Sequence, residues 1–488
     1  MTKEIRTRFA PSPTGYLHVG GLRSALYNYL FARKMGGKLL LRVEDTDRTR
    51  LVEGAIENFI EVFDWLGIHF DESPVVGGPH APYVQSERLN LYTEATKTLA
   101  EKGHAYVCFC TLERLEQVRA DQQARSLPPM YDRHCRNLPK DEVDARIAAG
   151  EPYVWRMAVP DNEVVEVHDI IRGDVNFETS TIDDQVLMKS DGYPTYHLAN
   201  VVDDHDMRIS HVIRGEEWLP STPKHVLLYR FFGWEPPQFA HLPLLLNPDR
   251  SKMSKRSGDV AVEAYRDKGI LPNALLNFVA LLGWHPQDER EFFTLQELVH
   301  EFSLERVNKA GAVFDQAKLQ WMNTEYLARL DHDEMWDGVA PYLPSELLTE
   351  SAARVRYAVI SLRPGAESFQ DLATKVVEAF APANISNESW DEAQLSFVGE
   401  VADVLSTLPA GKWNDFEALM AEFKSAANAA GAKHGLKGKG IWMTLRMALT
   451  GREHGPELGR LVGIWGREST LNRLHTAIAT KLSQEQPS

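Results

Sequence analysis

The chain reads as a multidomain protein: an α/β unit built on a parallel sheet, interrupted by an α+β insertion and followed by an all-α C-terminal half. Three observations predict this. Strand-like and helix-like segments alternate up to about Asn90, the pattern of a parallel sheet with helical crossovers. From about Asn90 to Asp191 that alternation gives way to a mixed region holding all three cysteines. Beyond Asp331 the apolar spacing is almost entirely helical, punctuated by Pro341, Pro344, Pro364, Pro382 and Pro409. At 488 residues the chain is also too long for one core, given ~100–200 residues per domain.

Taken in order, Ile5 to Phe9 reads as a short strand, which Pro11, Pro13 and Gly15 break. Leu22, Ala25, Leu26, Tyr29 and Leu30 then recur at helical spacing, so His18, Gly20 and Gly21 fall at a helix N-terminus. Lys38 to Val43 is the next strand, and Ile56, Phe59, Ile60, Phe63 and Leu66 mark an amphipathic helix. After the insertion, Val212 to Gly215 and His225 to Phe232 look like the returning half of the sheet. In open sheets of this kind a ligand lies beyond the carboxyl ends of the strands, where Pro11 to Gly15 and Glu44 to Asp47 both fall.

Bulk properties narrow the setting. No apolar run reaches the roughly 18 residues of a membrane span, and the N-terminus lacks a secretory pattern, so a cytoplasmic protein is expected. Three cysteines, an odd number in so long a chain, argue against a disulfide framework. A net charge of -16 disfavours indiscriminate nucleic-acid binding but leaves room for a local basic face. Lys433-His-Gly-Leu-Lys-Gly-Lys439 and Arg446 offer one, with no acid among them; a merely solvated loop is the alternative.

Two clusters point to phosphate chemistry. Unpaired N–H groups and the dipole at the helix start near His18 favour an anion, and Gly15, Gly20 and Gly21 let a polyphosphate approach the main chain. Far along the chain, Leu246-Asn-Pro-Asp-Arg-Ser-Lys-Met-Ser-Lys-Arg-Ser-Gly258 is a polar loop carrying Arg250, Lys252, Lys255 and Arg256. Each alone is a moderate signal; their order and separation make the pair strong.

With these motifs the chain resembles the class I aminoacyl-tRNA synthetases, through His18-Val-Gly-Gly21 and Lys252-Met-Ser-Lys-Arg256. Glycine at the end of the first motif is the form of the glutamyl and glutaminyl branch. Arg42-Val-Glu-Asp-Thr-Asp47, Tyr83-Val-Gln-Ser-Glu-Arg88, Asp191 to Asp204 and Val212-Ile-Arg-Gly-Glu-Glu-Trp218 resemble glutamyl-tRNA synthetase segments, in family order. Leu436 to Gly451 resembles the helical anticodon-binding region of the bacterial glutamyl enzymes, where glutaminyl enzymes carry β-barrels.

The resemblance implies a Rossmann-like catalytic domain over 1–90 and 193–245 and an inserted acceptor-stem-binding domain over 91–192. It implies a lysine-loop and stem-contact domain over 246–331, and helical anticodon-binding parts over 332–380 and 381–488. The implied reaction is ATP-dependent attachment of L-glutamate to the 3′ end of tRNA(Glu) through a glutamyl-adenylate, by a monomer that needs Mg2+ and no membrane. His18, Lys252 and Lys255 would be catalytic; Gly15, Gly20, Gly21 and Ser254 would join them around ATP. Arg8, Ser12, Glu44, Tyr196, Asn200 and Arg214 would bind glutamate, Arg8 taking the γ-carboxylate and Glu44 suiting the α-ammonium group. Tyr196 and Asn200 lie one helical turn apart, and simple packing is the alternative for them. Arg363, Lys437, Lys439 and Arg446 would contact tRNA. Of the rivals, a short paralogue lacks the helical part beyond Asp331, and a catalytically silent tRNA-binding protein would lack the histidine or the lysine loop.

Cys108-Phe-Cys110 and Cys135 suit tetrahedral Zn2+, three reduced thiols being the alternative. Some family members supply a ligand where Asn137 stands, a poor zinc ligand; Tyr131 or His134 could substitute, and related enzymes use a tyrosine at the position of Tyr131. At the anticodon end, a family arginine falls by ungapped alignment on Gly365, which has no side chain to read a base. Either Arg363 acts from a shifted register, or the enzyme also charges tRNA(Gln).

Overall fold

The computed structural model describes residues 4–253, 261–383 and 390–484. The chain forms two compact units, one of residues up to Arg266 with Pro272–Lys318, the other of Asp267–Leu271 and Leu319 onward. No helix among the described residues is long and apolar enough to cross a membrane.

In the first unit, β1 (Arg6–Phe9) leads through a turn into α1 (Val19–Lys34), and β2 (Lys38–Leu41) returns parallel to β1, with Arg8 opposite Leu40. β2 is bounded at Leu41, but its pairing runs on through the expected Val43: Arg42 and Glu44 donate to the Phe9 and Pro11 carbonyls on one side, and Val43 donates to Tyr83 and bridges Val84 on the other. α2 (Ala55–Trp65) buries Phe59, Val62 and Phe63, as its spacing predicts. The insertion holds α3 (Leu89–Glu101), β3 (Ala105–Cys108), α4 (Leu112–Ala124), α5 (Lys140–Ala148) and β4 (Val154–Met157). It continues with β5 (Val164–Asp169), β6 (Gly173–Glu178) and β7 (Val186–Met188). β3, β4 and β7 make a separate antiparallel sheet.

α6 (Tyr196–Asp206), β8 (His211–Gly215), α7 (Thr222–Phe232) and β9 (Gln238–Leu242) complete the α/β pattern. β8 and β9 are parallel, and the β5–β6 hairpin joins them where Asp169 meets Phe239, giving the order β6-β5-β9-β8. Ser210 ties this sheet to β1 through bonds to the Arg6 N–H and carbonyl. The carboxyl ends of β1, β2, β8 and β9 thus lie on one side, as parallel strands must.

Charged side chains hold this layer together. Asp204 accepts from Arg8 (Nε, 3.0 Å) and Arg42 (Nη1, 2.7 Å), and Asp203 accepts from Arg88, Gln85 and Tyr92, all buried. Burial opposes the Asp204 charge, but Arg8 and Arg42 outweigh it and hold the carboxyl below the ordinary range. Buried ion pairs repay little net stability once desolvation is counted, but each carboxylate fixes its arginines in one position.

A short strand β10 (Leu245–Leu246) pairs with β11 (Ala312–Val313), and the later helices are α8 (Val262–Asp267), α9 (Pro272–Ala280), α10 (Leu295–Glu301) and α11 (Gln316–Leu327). In the second unit every described element from His332 on is helical, as expected. These are α12 (His332–Val339), α13 (Ser345–Leu362), α14 (Phe369–Phe380), α15 (Glu392–Ser406), α16 (Phe416–Lys433), α17 (Lys439–Thr450) and α18 (Leu458–Gln484), which breaks at Gly466. Their inward faces, including Val359, Val376, Phe397, Val401, Phe423, Leu445 and Val462, are fully buried.

Candidate active site

The carboxyl ends of β1, β2 and β8 open into a chamber of about 860 Å3. It is lined by Arg8, Ser12, Gly15, His18, Gly20 and Gly21 from the first strand and turn, and by Glu44, Tyr196, Asn200, Arg214 and Lys252. Every sequence-predicted catalytic, ATP or glutamate residue within the described part therefore faces one cavity. Ser254 and Lys255 lie outside the described residues.

His18 caps α1: its Nδ1 accepts the Gly21 N–H at 3.1 Å, which places the proton of the neutral ring on Nε2. Gly20 packs closely beneath it: a Cβ there would stand 3.1 Å from the imidazole and would displace the ring by a few tenths of an ångström. The lysine loop begins as a hairpin in which Met253 donates to Leu245 and Asn247 to Ser251, with Arg250 left-handed at φ 64°. Lys252 is exposed and lines the chamber. On the far side of the loop, Ala261 bridges His18 itself and Val262 donates to Leu17. The far end of the loop is thus anchored at the histidine turn, and the near end on β10.

The two arginines differ in their partners. Arg8 is paired along one edge with Asp204. Arg214 meets only neutral groups among the described residues: His241 Nε2 through Nε (3.1 Å), Thr222 Oγ1 through Nη2 (3.0 Å), and Tyr196 Oη (2.7 Å) and His225 Nδ1 (3.4 Å) through Nη1. Glu44 is buried; burial pushes its carboxyl above the ordinary range and Arg42, bonded to Oε1 at 3.0 Å, opposes that shift. Asn200 reaches the same oxygen at 3.4 Å. Tyr196 and Asn200 do share a face of α6, and Tyr196 also packs against Trp218 with ring centroids 4.3 Å apart. Asp47, expected beyond the strand ends, lines the chamber too; Arg50, Lys189 and Trp218 also line it and were not expected there, although Trp218 sits inside a recognised segment.

In the insertion, the sulfurs of Cys108, Cys110 and Cys135 lie within 4.8 Å of one another. Tyr131 Oη is 3.3 Å from the Cys108 sulfur and 3.4 Å from that of Cys110, while His134 is exposed and outside the cluster. Tetrahedral thiolates around one zinc stand roughly 3.8 Å apart, so this set fits a metal with Tyr131 as fourth donor. Arg114 and the Arg156 face, 3.9 Å from the Tyr131 ring, bring positive charge to it.

An acid from another helix joins the basic stretch of the second unit. Lys433 and His434 both contact Glu400, at 2.9 and 2.7 Å, so an acid from α15 enters the group. Lys437 and Lys439 are exposed, whereas Arg446 turns into a cavity of about 390 Å3 with Arg452, Arg460, Arg473 and Trp465. One Arg446 nitrogen there is buried without a partner. Arg363 donates to the Leu330 carbonyl and does not line that cavity. Gly365 sits at φ 77°, a conformation that disfavours any side chain, arginine included.

The family described as tRNA synthetases class I (E and Q), catalytic domain, matches residues 4–321, and an anticodon binding domain matches 323–478. The chain belongs to this class I family. Among its relatives is the glutamate–tRNA ligase of Clostridioides difficile, 46% identical over 96% of this chain and 98% of that protein. Another is the glutamate–tRNA ligase of Chloroherpeton thalassium, 47% identical over 97% of each. A crystal structure of a glutamate tRNA ligase from Elizabethkingia meningosepticum, in complex with its amino acid, superimposes with a TM-score of 0.89 at 38% identity, covering 98% of this chain and 99% of that one.

Proposed function

We infer that this chain attaches L-glutamate to the 3′ end of tRNA(Glu), using ATP and releasing AMP and diphosphate through a glutamyl-adenylate. One observation carries the reading. A single chamber gathers the histidine turn, the first lysine of the loop, two arginines and a buried carboxylate. The α-carboxylate attacks the α-phosphate of ATP, and the acyl group then passes to a ribose hydroxyl, so neither step needs a protein nucleophile. The protein positions the reactants and stabilises growing charge.

His18, with its proton on Nε2, donates to phosphate oxygens, and the N–H groups around Gly20 and Gly21 add a positive helix end. Lys252 and Lys255 neutralise the leaving diphosphate, with Gly15 and Ser254 beside it. Mg2+ supplies further neutralisation of the phosphates when bound. Arg8 and Arg214 take the carboxylates of glutamate, and Glu44 with Asn200 takes its ammonium group, while Ser12 and Tyr196 complete the pocket. Cys108, Cys110, Tyr131 and Cys135 hold a structural Zn2+ that clamps the acceptor-binding insertion. The arginine-lined cavity of the second unit, with Arg446, receives unstacked anticodon bases, since guanidinium planes both stack on and hydrogen-bond to them. Arg363, Lys437 and Lys439 meet the backbone. The chain works as a monomer in the cytoplasm, where its thiols stay reduced.

ATP–diphosphate exchange driven by glutamate, with and without tRNA, tests the first step, and charging of purified glutamate and glutamine tRNAs tests the second. Exchange absent under both conditions would leave only a tRNA-binding protein. Charging of both tRNAs would make Gly365 the mark of a relaxed enzyme.

A further inference from the structure

Arg214 does not stand alone in its pocket. It faces His241 in the β8–β9 register, and beyond β9 comes β5, whose last residue is Asp169. Asp169 and His241 are both buried, and the Asp169 carboxylate lies 2.6 Å from His241 Nδ1. That carboxylate is itself fixed by the N–H groups of Ile171, Arg172 and His241. A carboxylate at Nδ1 requires the proton there, so Nε2 carries a lone pair. The Arg214 Nε, which can only donate, points at that lone pair from 3.1 Å. Three adjacent strands therefore present one directed chain, from carboxylate to imidazole to guanidinium.

The chain explains why the guanidinium keeps its charge for a ligand. A carboxylate in direct contact would neutralise Arg214, as Asp204 does for Arg8. Through the intervening ring the negative charge is one imidazole further away, yet the orientation is fixed. Burial lowers the proton affinity of His241, which keeps its ring neutral, although Asp169 pulls the other way.

We propose that Asp169 and His241 are positioning residues for glutamate: the carboxylate sets the imidazole tautomer, and the imidazole holds Arg214 oriented and unneutralised toward the substrate carboxylate. The proposal rests on Arg214 binding glutamate. The test measures KM for glutamate and for ATP, and kcat, in His241→Asn, His241→Gln, Asp169→Asn and Arg214→Gln. Asparagine keeps a donor toward Asp169 but loses the acceptor for Arg214; glutamine puts an oxygen near the place of Nε2. His241→Asn should raise the glutamate KM about tenfold or more, the usual cost of a lost hydrogen bond to a charged group, with the ATP KM within about twofold. His241→Gln should recover most of that loss. Asp169→Asn preserves volume while admitting the wrong tautomer, and should follow His241→Asn. A glutamate KM unchanged in His241→Asn while Arg214→Gln raises it would overturn the positioning role alone. Equal rises for ATP and glutamate in all three variants would show a merely structural pair and overturn it as well. If Arg214→Gln leaves the glutamate KM untouched, the reading of Arg214 fails, and the proposal with it.

Discussion

Arg8 and Arg214 are the same residue type facing one cavity, and their neighbours give them different work. Asp204 fixes and neutralises Arg8, while Arg214 is oriented by His241, Thr222 and Tyr196 and keeps its charge. His225 adjoins this group, its Nδ1 3.4 Å from Arg214 Nη1. Burial first, then the nearby positive charge of Arg214, holds His225 well below the ordinary 6.5. The ring is neutral in the folded protein, so the unfolded chain binds more protons below pH 6.5 and stability falls as pH falls through that range. Urea unfolding between pH 7 and pH 5 should show this loss, and His225→Gln should flatten the slope by up to ~1.4 kcal/mol per pH unit. An unchanged slope would mean the ring is already charged. His18 was legible in the sequence because capping is local, set by residues three apart. Asp169 and His241 were not, because 72 positions separate them and only sheet register brings them together.

At the scale of elements, α6 is the piece on which the chamber depends. Its first two turns carry Tyr196 and Asn200, and its last turn carries Asp203 and Asp204, which clamp it to β1, to Arg42 just after β2 and to Arg88 just before α3. Asp204→Asn keeps the volume but leaves Arg8 and Arg42 buried with one anion fewer. Breaking such a pair costs about 3–5 kcal/mol, measurable by urea denaturation. A change below ~1 kcal/mol would show that solvent, rather than Asp204, balances the arginines. β1, α1, β2, α2 and β8 were readable from apolar periodicity, whereas 90–191 was read only as a mixed region, because its short strands pair across long stretches of sequence. Gly365 was read as a missing base contact, and its positive φ gives the physical reason for glycine at that turn.

Across the whole molecule, the proposed binding of tRNA meets a net charge of -16, and four arginines gathered at one cavity of the second unit offer local positive charge. Arg446, Arg452, Arg460 and Arg473 come from separate stretches of α17, α18 and the turn between them, so no run of basic residues announced their cavity. The thiol cluster was legible, since Cys108 and Cys110 flank one residue; of the two donors offered beside it, Tyr131 lies against the sulfurs and His134 is exposed. Protein purified without added metal should contain close to one zinc per chain by elemental analysis, and Cys110→Ser should lower it severalfold. Less than a tenth of an equivalent in the parent would contradict the zinc site. The central claim is that His18 and Lys252, more than two hundred positions apart, act on one triphosphate. Charging of tRNA(Glu) with labelled glutamate, measured for the parent, His18→Ala and Lys252→Ala at matched folding, tests it most directly. The parent should charge and each variant should lose about 100-fold in kcat, whereas charging by both variants at the parent's rate would contradict the account.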